Sequence, residues 1–270
     1  VDQYDEQALA RTLSRGCVRA TVMTPNLVTW ITGLATRLPL QHYLRWVLVG
    51  GSYFPVTSKQ AASAAFGNIF CEYYGCTETG VNVLSEPADM KACPESVGRP
   101  FDGNRVMILD EDNRPLSAWE KGRVAISSYM LMDEYGDGSR PFIMIGGEYY
   151  FLMADYGYLD DGGRLFLMNR NGEIRSDHDI YRIEEKIRSL PCITDVALVT
   201  VRLQGVNHVR CIFSTGQSRK QKFMRLLEKI NEQAFTTGVM NFSAHQVDKI
   251  PYSPSGKVRY GEVIRMLDAA

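Results

Sequence analysis

Residues 69–80 read Ile69-Phe70-Cys71-Glu72-Tyr73-Tyr74-Gly75-Cys76-Thr77-Glu78-Thr79-Gly80, a short and mainly apolar run followed by a polar segment with two glycines. The run 69–73 has the length of a buried strand, and the loop Tyr74–Glu78 follows it directly. Predicted helices and strands alternate in the chain that precedes this segment. Its elements are a helix at 6–16, a strand at 18–23, a helix opened by Pro25, a strand at 44–49 and a helix at 57–66. This order predicts a parallel α/β sheet, in which ligands bind beyond the carboxyl ends of the strands.

The loop Tyr74–Glu78 carries side chains that suit a nucleotide. An aromatic ring can stack on a purine, and a glycine lets the backbone approach a phosphate. A threonine hydroxyl can bond a phosphate oxygen, and a glutamate can hold Mg²⁺. Gly50-Gly51 ends the preceding strand and faces the same edge of the predicted sheet. On local grounds an ordinary polar loop remains the alternative.

The predicted pattern of helices and strands changes twice further along the chain. From about Glu95 short strands alternate with Gly, Asp and Asn turns, among them the hairpin signal Asp161-Gly162-Gly163, which predicts an antiparallel sheet or barrel. From about Asn171 helices and strands form a small α+β unit. We therefore predict part of a large α/β domain at 1–94, an antiparallel β subdomain at 95–170 and a mobile α+β cap at 171–270.

Composition excludes several classes of protein. Lys+Arg total 30 and Asp+Glu total 31, so the net charge of −1 argues against a nucleic-acid or anionic-membrane partner. No run approaches the ~18 apolar residues of a membrane helix, and the first residues do not resemble a signal peptide. The six cysteines lack C-x-x-C spacing and the four histidines lack helical pairing. We expect reduced cysteines and a cytoplasmic protein.

Two further segments carry candidate site residues. Asp155 ends a predicted strand and is followed at a distance by Arg170; an aspartate so placed can accept both ribose hydroxyls. The segment Pro251-Tyr252-Ser253-Pro254-Ser255-Gly256-Lys257 uses a glycine turn to present a lysine, which can neutralise charge on a transferring phosphoryl group. Taken alone, each of these charged residues is more often an ordinary surface charge.

Together and in this order, the three segments resemble the adenylate-forming superfamily of acyl-CoA and aryl-CoA ligases, peptide-synthetase adenylation domains and luciferase. The family loop Y-G-x-T-E matches Tyr74–Glu78, and P-x-[ST]-x-[ST]-G-K matches Pro251–Lys257. The family's Y-x-T-G-D and G-R match in part, since Asp155 and Arg170 are kept while the surrounding Thr and Gly residues are changed. The resemblance extends from about Val18 to Val263.

The resemblance implies a role for each matched residue, and these roles define the candidate site. Tyr74 stacks on adenine with Gly75 beside it, and the segment that contains Gly51 and Ser52 flanks adenine and the acyl pocket. Thr77 contacts the α-phosphate and Glu78 binds the metal. Asp155 and Arg170 bind the ribose, and Lys257 is the adenylation lysine. The implied cofactors are ATP, Mg²⁺ and CoA or the phosphopantetheine of a carrier protein.

Two features depart from the family pattern. The Ser/Thr/Gly-rich phosphate loop is absent, and the chain does not begin with Met, so we expect it to be the C-terminal part of a longer enzyme. The loop after Arg170 is about four residues short and lacks K-x-x-G, which puts thiol transfer in doubt more than adenylation. Asn171-Gly172 can still serve as a hinge.

The resulting prediction is an AMP-forming ligase that adenylates a small-molecule carboxylic acid and passes it to CoA or to an acyl carrier protein. A non-catalytic relative that acts through protein contacts is the alternative, and a peptide-synthetase domain is a third. The apolar segment Val22-Met23-Thr24-Pro25 weakly favours an acyl or aryl acid over an amino acid. The sequence identifies neither the acid nor the acceptor.

Overall fold

A computed structural model of the chain describes residues 5–38, 40–170, 180–203, 206–215, 220–236, 239, 241–253 and 257–268. These residues form three sheets with helices between them. The chain divides into two compact units. The first comprises Val1–Met107, Ala125–Leu152 and Leu159–Phe166, and the second comprises Ile108–Val124, Met153–Tyr158 and Leu167–Ala270. The three-domain division of the sequence stays a prediction.

The first sheet has the order β1-β2-β3-β4-β5. Its strands are β1 (Ala20–Met23), β2 (Trp46–Val49), β3 (Phe70–Cys76), β4 (Gly80–Ser85) and β5 (Arg99–Pro100). The connecting helices are α1 (Glu6–Ser14), α2 (Pro25–Arg37), α3 (Val56–Phe66) and α4 (Pro87–Ala92). β1, β2 and β3 pair in parallel, which confirms the predicted parallel α/β sheet, and β4 and β5 pair antiparallel.

Helical periodicity explains why α2 covers this sheet. Val28, Ile31 and Leu34 recur at the spacing of one helix face, and all three are fully buried. Val28 and Ile31 belong to the same apolar cluster as Val47 and Val49 of β2. The strand residues alternate with more exposed neighbours, as a pleated strand requires. The packing of α2 holds the carboxyl end of β2 at the edge where the candidate site begins.

The second sheet has the order β10-β9-β7-β6, with β8 paired to β9, and is the predicted antiparallel sheet. Its strands are β6 (Asn104–Leu109), β7 (Gly122–Ser128), β8 (Phe142–Ile145), β9 (Glu148–Leu159) and β10 (Leu165–Arg170). The predicted hairpin joins β9 to β10. Asp160 stabilises it by accepting hydrogen bonds from the Gly162 and Arg164 amides at 2.9 and 2.8 Å.

The third sheet has the order β11-β12-β13 and belongs wholly to the second unit. Its elements are β11 (Ile193–Leu203), β12 (Val206–Thr215), β13 (Phe242–Gln246), α5 (Ile180–Arg188), α6 (Lys220–Thr236) and α7 (Tyr260–Asp268). Alternate residues of β11 enter different apolar clusters. Val196 joins the cluster that includes α5, and Ala197 joins the cluster that includes α7. Both faces of this small sheet are therefore covered by helices.

Several short elements were missing from the sequence prediction. β4, β8, β13, α4 and α7 were not predicted, and β3 continues three residues beyond the predicted end of its strand. These elements are short or half-buried, so local hydrophobic periodicity marks them weakly. Among the helices of the described residues, none combines the length and apolar composition that crossing a bilayer requires. All six cysteines are free thiols.

A buried ion pair joins α3 to β3 immediately before the candidate loop. Lys59 Nζ lies 2.5 Å from Glu72 Oε2, and both side chains are only 3% exposed. Lys59 also donates to the carbonyls of Pro94 and Ser96, at 2.6 and 3.3 Å. Burial raises the pKa of Glu72, and the neighbouring Lys59 opposes this effect. The lysine thus links a helix, a strand and a loop through one buried charge.

We predict that Lys59→Met lowers the free energy of unfolding by about 3–5 kcal/mol, because it leaves the Glu72 carboxylate buried without its cation. The folded-state pKa of Glu72 lies above the unfolded value, so stability is lost as the pH rises through the folded-state pKa. Urea titrations should therefore show a larger loss at about pH 8 than at about pH 5. The double variant Lys59→Met/Glu72→Met is the control. It should recover most of the free energy of unfolding that Lys59→Met loses through the unpaired carboxylate. A loss that does not change with pH would show that the unpaired carboxylate is not its cause.

Candidate active site

Two glycines and a serine follow β2 at the edge of the first sheet. Gly51 has φ +90°, a conformation that favours glycine. A Cβ on Gly50 would lie 2.5 Å from the Tyr73 ring, so the ring occupies the space that a side chain would need. Val49 pairs with Glu72, which places Gly51 and Ser52 beside the start of the Tyr74–Glu78 segment. The structure therefore brings these two predicted parts of the site to one sheet edge.

The Tyr74–Glu78 segment is a β-hairpin and not a free loop. Tyr74 pairs with Val83 and Gly75 with Val81, so the strand extends into the predicted loop. A Cβ on Gly75 would lie 1.9 Å from the Gly80 carbonyl oxygen, so this close approach of two backbones requires glycine. Thr77 and Glu78 lie in the connecting turn, where Thr77 is exposed and Glu78 is half-buried.

Glu78 is held from outside the hairpin. The Met132 amide donates to the Glu78 carbonyl at 2.8 Å, and the Tyr135 hydroxyl donates to Glu78 Oε1 at 3.2 Å. Partial desolvation and the nearby Glu78 carboxylate raise the pKa of the Tyr135 phenol, so it remains a donor at neutral pH. A carboxylate on a fixed turn has the oxygen chemistry that Mg²⁺ prefers, so this residue fits a magnesium ion.

A buried hydrogen-bond network lies behind the turn. Thr79 Oγ1 donates to Asn82 Oδ1 at 2.6 Å, and Asn82 Nδ2 donates to the Thr79 carbonyl at 2.8 Å and to Asn104 Oδ1 at 2.9 Å. Thr79 and Asn82 are fully buried. The Cys76 amide donates to Thr79 Oγ1 at 3.3 Å, which ties both ends of the turn together. Buried networks of this kind limit a turn to one conformation.

Cys76 lies within this segment, and its environment argues against a nucleophile. Burial raises the pKa of the Cys76 thiol, although the hydrogen bond with Thr79 opposes the shift. A thiol with a raised pKa stays protonated at neutral pH and is a poor nucleophile. The chemistry of the turn therefore depends on its oxygen groups.

The second unit carries the remaining predicted residues. Asp155 lies inside β9 and not at the end of a strand as predicted, because β9 continues to Leu159. Its side chain is 4% exposed, on the same buried face of the strand as Met153. The low dielectric there strengthens a carboxylate's hydrogen bonds to hydroxyl donors. Arg170 ends the neighbouring strand β10, and its side chain lies outside the described residues. The predicted hinge at 171–172 and the shortened loop 171–179 also lie outside them.

Lys257 ends a small antiparallel loop. The Ser253 amide donates to the Lys257 carbonyl at 2.8 Å, and the Lys257 amide donates to Ser253 Oγ at 3.1 Å. Tyr252 and Val258 form the next bridge of the two arms. Residues 254–256, including the predicted turn glycine, lie outside the described residues. The Lys257 side chain is exposed, as the prediction requires of a lysine that reaches a substrate.

Sequence reasoning missed the residues that support the site. Tyr135 lies 57 positions from Glu78, and Asn104 lies 22 positions from Asn82, so sequence spacing cannot pair them. The composition of the turn was a partial signal, since Thr79 and Asn82 are residue types that bond to nearby backbone. The predicted site residues themselves are divided between the two compact units.

The fold, with its three sheets and the Tyr74–Glu78 hairpin in the first, is that of an adenylate-forming enzyme. The family model described as AMP-binding enzyme matches residues 1–136, and the chain belongs to this family. The resemblance inferred from the sequence is therefore confirmed.

One curated relative is the 2-succinylbenzoate–CoA ligase of Lactococcus lactis subsp. lactis (strain IL1403), 28% identical over 263 residues. That match covers 96% of this chain and 54% of the relative. The chain spans about half the length of the curated relatives it matches.

Two solved structures share the fold. The amide bond synthetase McbA from Marinactinospora thermotolerans superposes with a TM-score of 0.81 at 21% identity, over 97% of this chain and 56% of that protein. ATP-bound MatB from Rhodopseudomonas palustris also gives a TM-score of 0.81, at 18% identity, over 97% of this chain and 53% of that protein. At these identities the likeness establishes the architecture.

The network behind the turn leads to a stability prediction. Asn82→Ala removes the donor to the buried Thr79 carbonyl and to Asn104 Oδ1, at about 1–3 kcal/mol for each group left unpaired. We expect urea unfolding to show a loss of about 2–4 kcal/mol. Thr77→Ala, in the exposed part of the same turn, is the matched control and should change stability by less than about 0.5 kcal/mol. Similar small effects of both substitutions would mean that Asn82 does not hold the turn.

Proposed function

We propose that the natural protein is an AMP-forming ligase that activates a carboxylic acid with ATP and Mg²⁺. The acid becomes an acyl-adenylate with release of pyrophosphate, and the acyl group then passes to the thiol of CoA or of a carrier protein's phosphopantetheine. Membership of the AMP-binding enzyme family supports this class of reaction. A cytoplasmic location remains part of the proposal.

The observation that carries the proposal is the placement of Lys257. Its side chain is exposed at the end of a loop whose two arms are hydrogen-bonded to each other. A lysine presented by such a loop can approach a charged substrate while its backbone stays fixed. This is the property required of a group that stabilises developing charge.

The residues of the chain suit distinct parts of the reaction. The carboxylate of the acid attacks the α-phosphorus in line, the bond to pyrophosphate breaks, and Lys257 stabilises the charge that develops. Tyr74 stacks on adenine, Gly75, Gly51 and Ser52 line its surroundings, and Thr77 contacts the α-phosphate. Asp155 and Arg170 bind the ribose. Glu78 would hold Mg²⁺, which would supply charge neutralisation. Catalysis consists mainly of positioning and electrostatic stabilisation.

The substrate class follows less directly. The 2-succinylbenzoate–CoA ligase relative is named for an aryl acid and for CoA. At the carboxyl end of β1 the Val22 side chain is exposed, whereas Met23 and Pro25 are buried in the first unit. Val22 is therefore the apolar side chain of the segment Val22–Pro25 that an acid substrate could contact. We propose an acyl or aryl acid as substrate, with CoA or an acyl carrier protein as acceptor.

Lys257→Ala tests the proposal in the complete natural protein. Loss of one electrostatic donor at the reacting phosphorus should lower the rate of ATP–pyrophosphate exchange by about 10²–10³-fold. Thiol transfer that starts from synthetic acyl-adenylate should change much less, because no pyrophosphate leaves in that step. Both assays are run on the same preparation.

Lys249→Ala is the matched control, since Lys249 is a second lysine in the segment before α7 and has no assigned role. It should leave both rates unchanged. An unchanged exchange rate in Lys257→Ala would instead favour the non-catalytic alternative. Equal losses in the two assays would mean that the substitution disturbs the whole C-terminal region.

Asp155→Asn tests the ribose contact. The amide keeps the shape of the side chain but removes its charge, and a hydrogen bond to a charged group contributes about 1.5–3 kcal/mol. We expect a rise of about 10- to 100-fold in the KM for ATP. The natural protein should prefer ATP to 2′-deoxy-ATP, and this preference should largely disappear in the variant. Asp112→Ala, which removes a surface carboxylate near Arg114, is the control. If the variant still prefers ATP to 2′-deoxy-ATP, Asp155 does not contact the ribose and has only a structural role in the sheet.

A further inference from the structure

The loop that carries Lys257 is anchored through its first arm. Tyr252 lies in that arm, and its hydroxyl donates to Asp195 Oδ2 at 2.6 Å. Asp195 lies in β11, 57 positions earlier in the chain. Burial and the neighbouring Asp195 raise the pKa of the Tyr252 phenol, so it stays protonated and remains a donor. The loop is thereby attached to the third sheet by a charge-assisted hydrogen bond.

Asp195 is itself held in place by α5 and by its own strand. Arg188 Nη1 donates to Asp195 Oδ1 at 3.1 Å, and the Val196 amide donates to the same oxygen at 2.9 Å. Arg188 Nη2 also donates to Glu184 Oε1 at 2.9 Å and to the Val196 carbonyl at 2.8 Å. The carboxylate that receives the Tyr252 hydroxyl thus has a defined orientation, set by a network of three charged side chains.

Pairing between the two arms of the loop connects the Tyr252 anchor to Lys257. Tyr252 and Val258 are bridge partners, and the Ser253–Lys257 hydrogen bonds form the next step along the two arms. The Tyr252 ring also packs against the apolar cluster that contains Ile250 and Val263. Apolar contacts hold the ring, but they are non-directional. The hydroxyl bond adds direction, so it selects one orientation of the arm and of the lysine beside it.

We infer that Tyr252 and Asp195 are positioning residues for Lys257: they hold its loop in the orientation from which the ammonium reaches the reacting phosphate. This inference rests on the proposed function, because it assigns the pair to the same adenylation step. It predicts an effect on kcat more than on KM, since neither residue is placed at a nucleotide or acid contact. It also predicts that the two residues act as one unit.

The experiment uses Tyr252→Phe, Asp195→Asn and the double variant in the complete natural protein. Tyr252→Phe keeps the ring in its apolar cluster and removes only the hydroxyl. We expect kcat for pyrophosphate exchange to fall about 10- to 100-fold, as for loss of a hydrogen bond to a charged group. The KM for ATP should stay within about twofold, and transfer from synthetic acyl-adenylate should be nearly unchanged. The double variant should be little worse than the worse single variant.

Ser214→Ala is the matched control. It removes the hydrogen bond between Ser214 and Thr194, next to Asp195 in the same pair of strands, and leaves the Tyr252 bond intact. Its kinetics should equal those of the natural protein. If Tyr252→Phe leaves kcat unchanged, or lowers both half-reactions equally, the inference is overturned. If Lys257→Ala has no effect on exchange, the proposed function fails, whatever Tyr252→Phe does.

A second measurement reports on the loop without any activity. Endoproteinase Lys-C cleaves after Lys257 and not after Arg259, two residues further on. The rate of the cut after Lys257 in the native protein reports how often the loop opens. Mass spectrometry of the fragment that begins at Val258 follows it. We expect cleavage in Tyr252→Phe to be about tenfold faster than in the natural protein and in Ser214→Ala. Equal cleavage rates in all three proteins would show that the hydroxyl bond does not hold the loop.

Discussion

The close pairing of β3 with β4 through Gly75 and Gly80 is the constraint on which the first half of the site depends. Because the two backbones approach to a distance that no Cβ would allow, the turn between them has a single short path. Thr77 and Glu78 lie on that path, and the Thr79–Asn82 network fills the space behind it. The catalytic chemistry proposed for this turn requires fixed groups, which a free loop of the same sequence would not provide.

Charged side chains join neighbouring elements in a similar way in both units, fully buried in the first and partly buried in the second. In the first, Lys59 of α3 pairs with Glu72 of β3, and in the second, Arg188 pairs with both Glu184 and Asp195. Such groups contribute little net stability, since desolvation offsets their attraction. They instead restrict the orientation of the elements that they join, because each ion pair tolerates few geometries. Both clusters lie directly behind segments that we assign to the site.

The third sheet shows how a small unit can support a precise loop. β11 sends alternate residues into two apolar clusters, so the strand is packed on both faces and has little freedom. Asp195 is carried by this strand, near its start. A hydrogen bond from Tyr252 to a carboxylate on so rigid a strand transmits its position to the loop that ends at Lys257.

The sequence by itself determined the parallel order of the first three strands, the antiparallel second sheet, the hairpin at Asp161–Gly163 and the family, because these follow from local periodicity, glycine placement and short motifs. The candidate residues Tyr74, Glu78, Asp155 and Lys257 also came from the sequence, and their roles stay predictions. Only the tertiary structure decided that Tyr74 and Gly75 are strand residues, that Tyr135 bonds Glu78 and that Tyr252 bonds Asp195. These contacts join residues far apart in the chain, and side-chain hydrogen bonds at such separations leave no periodic pattern in a single sequence.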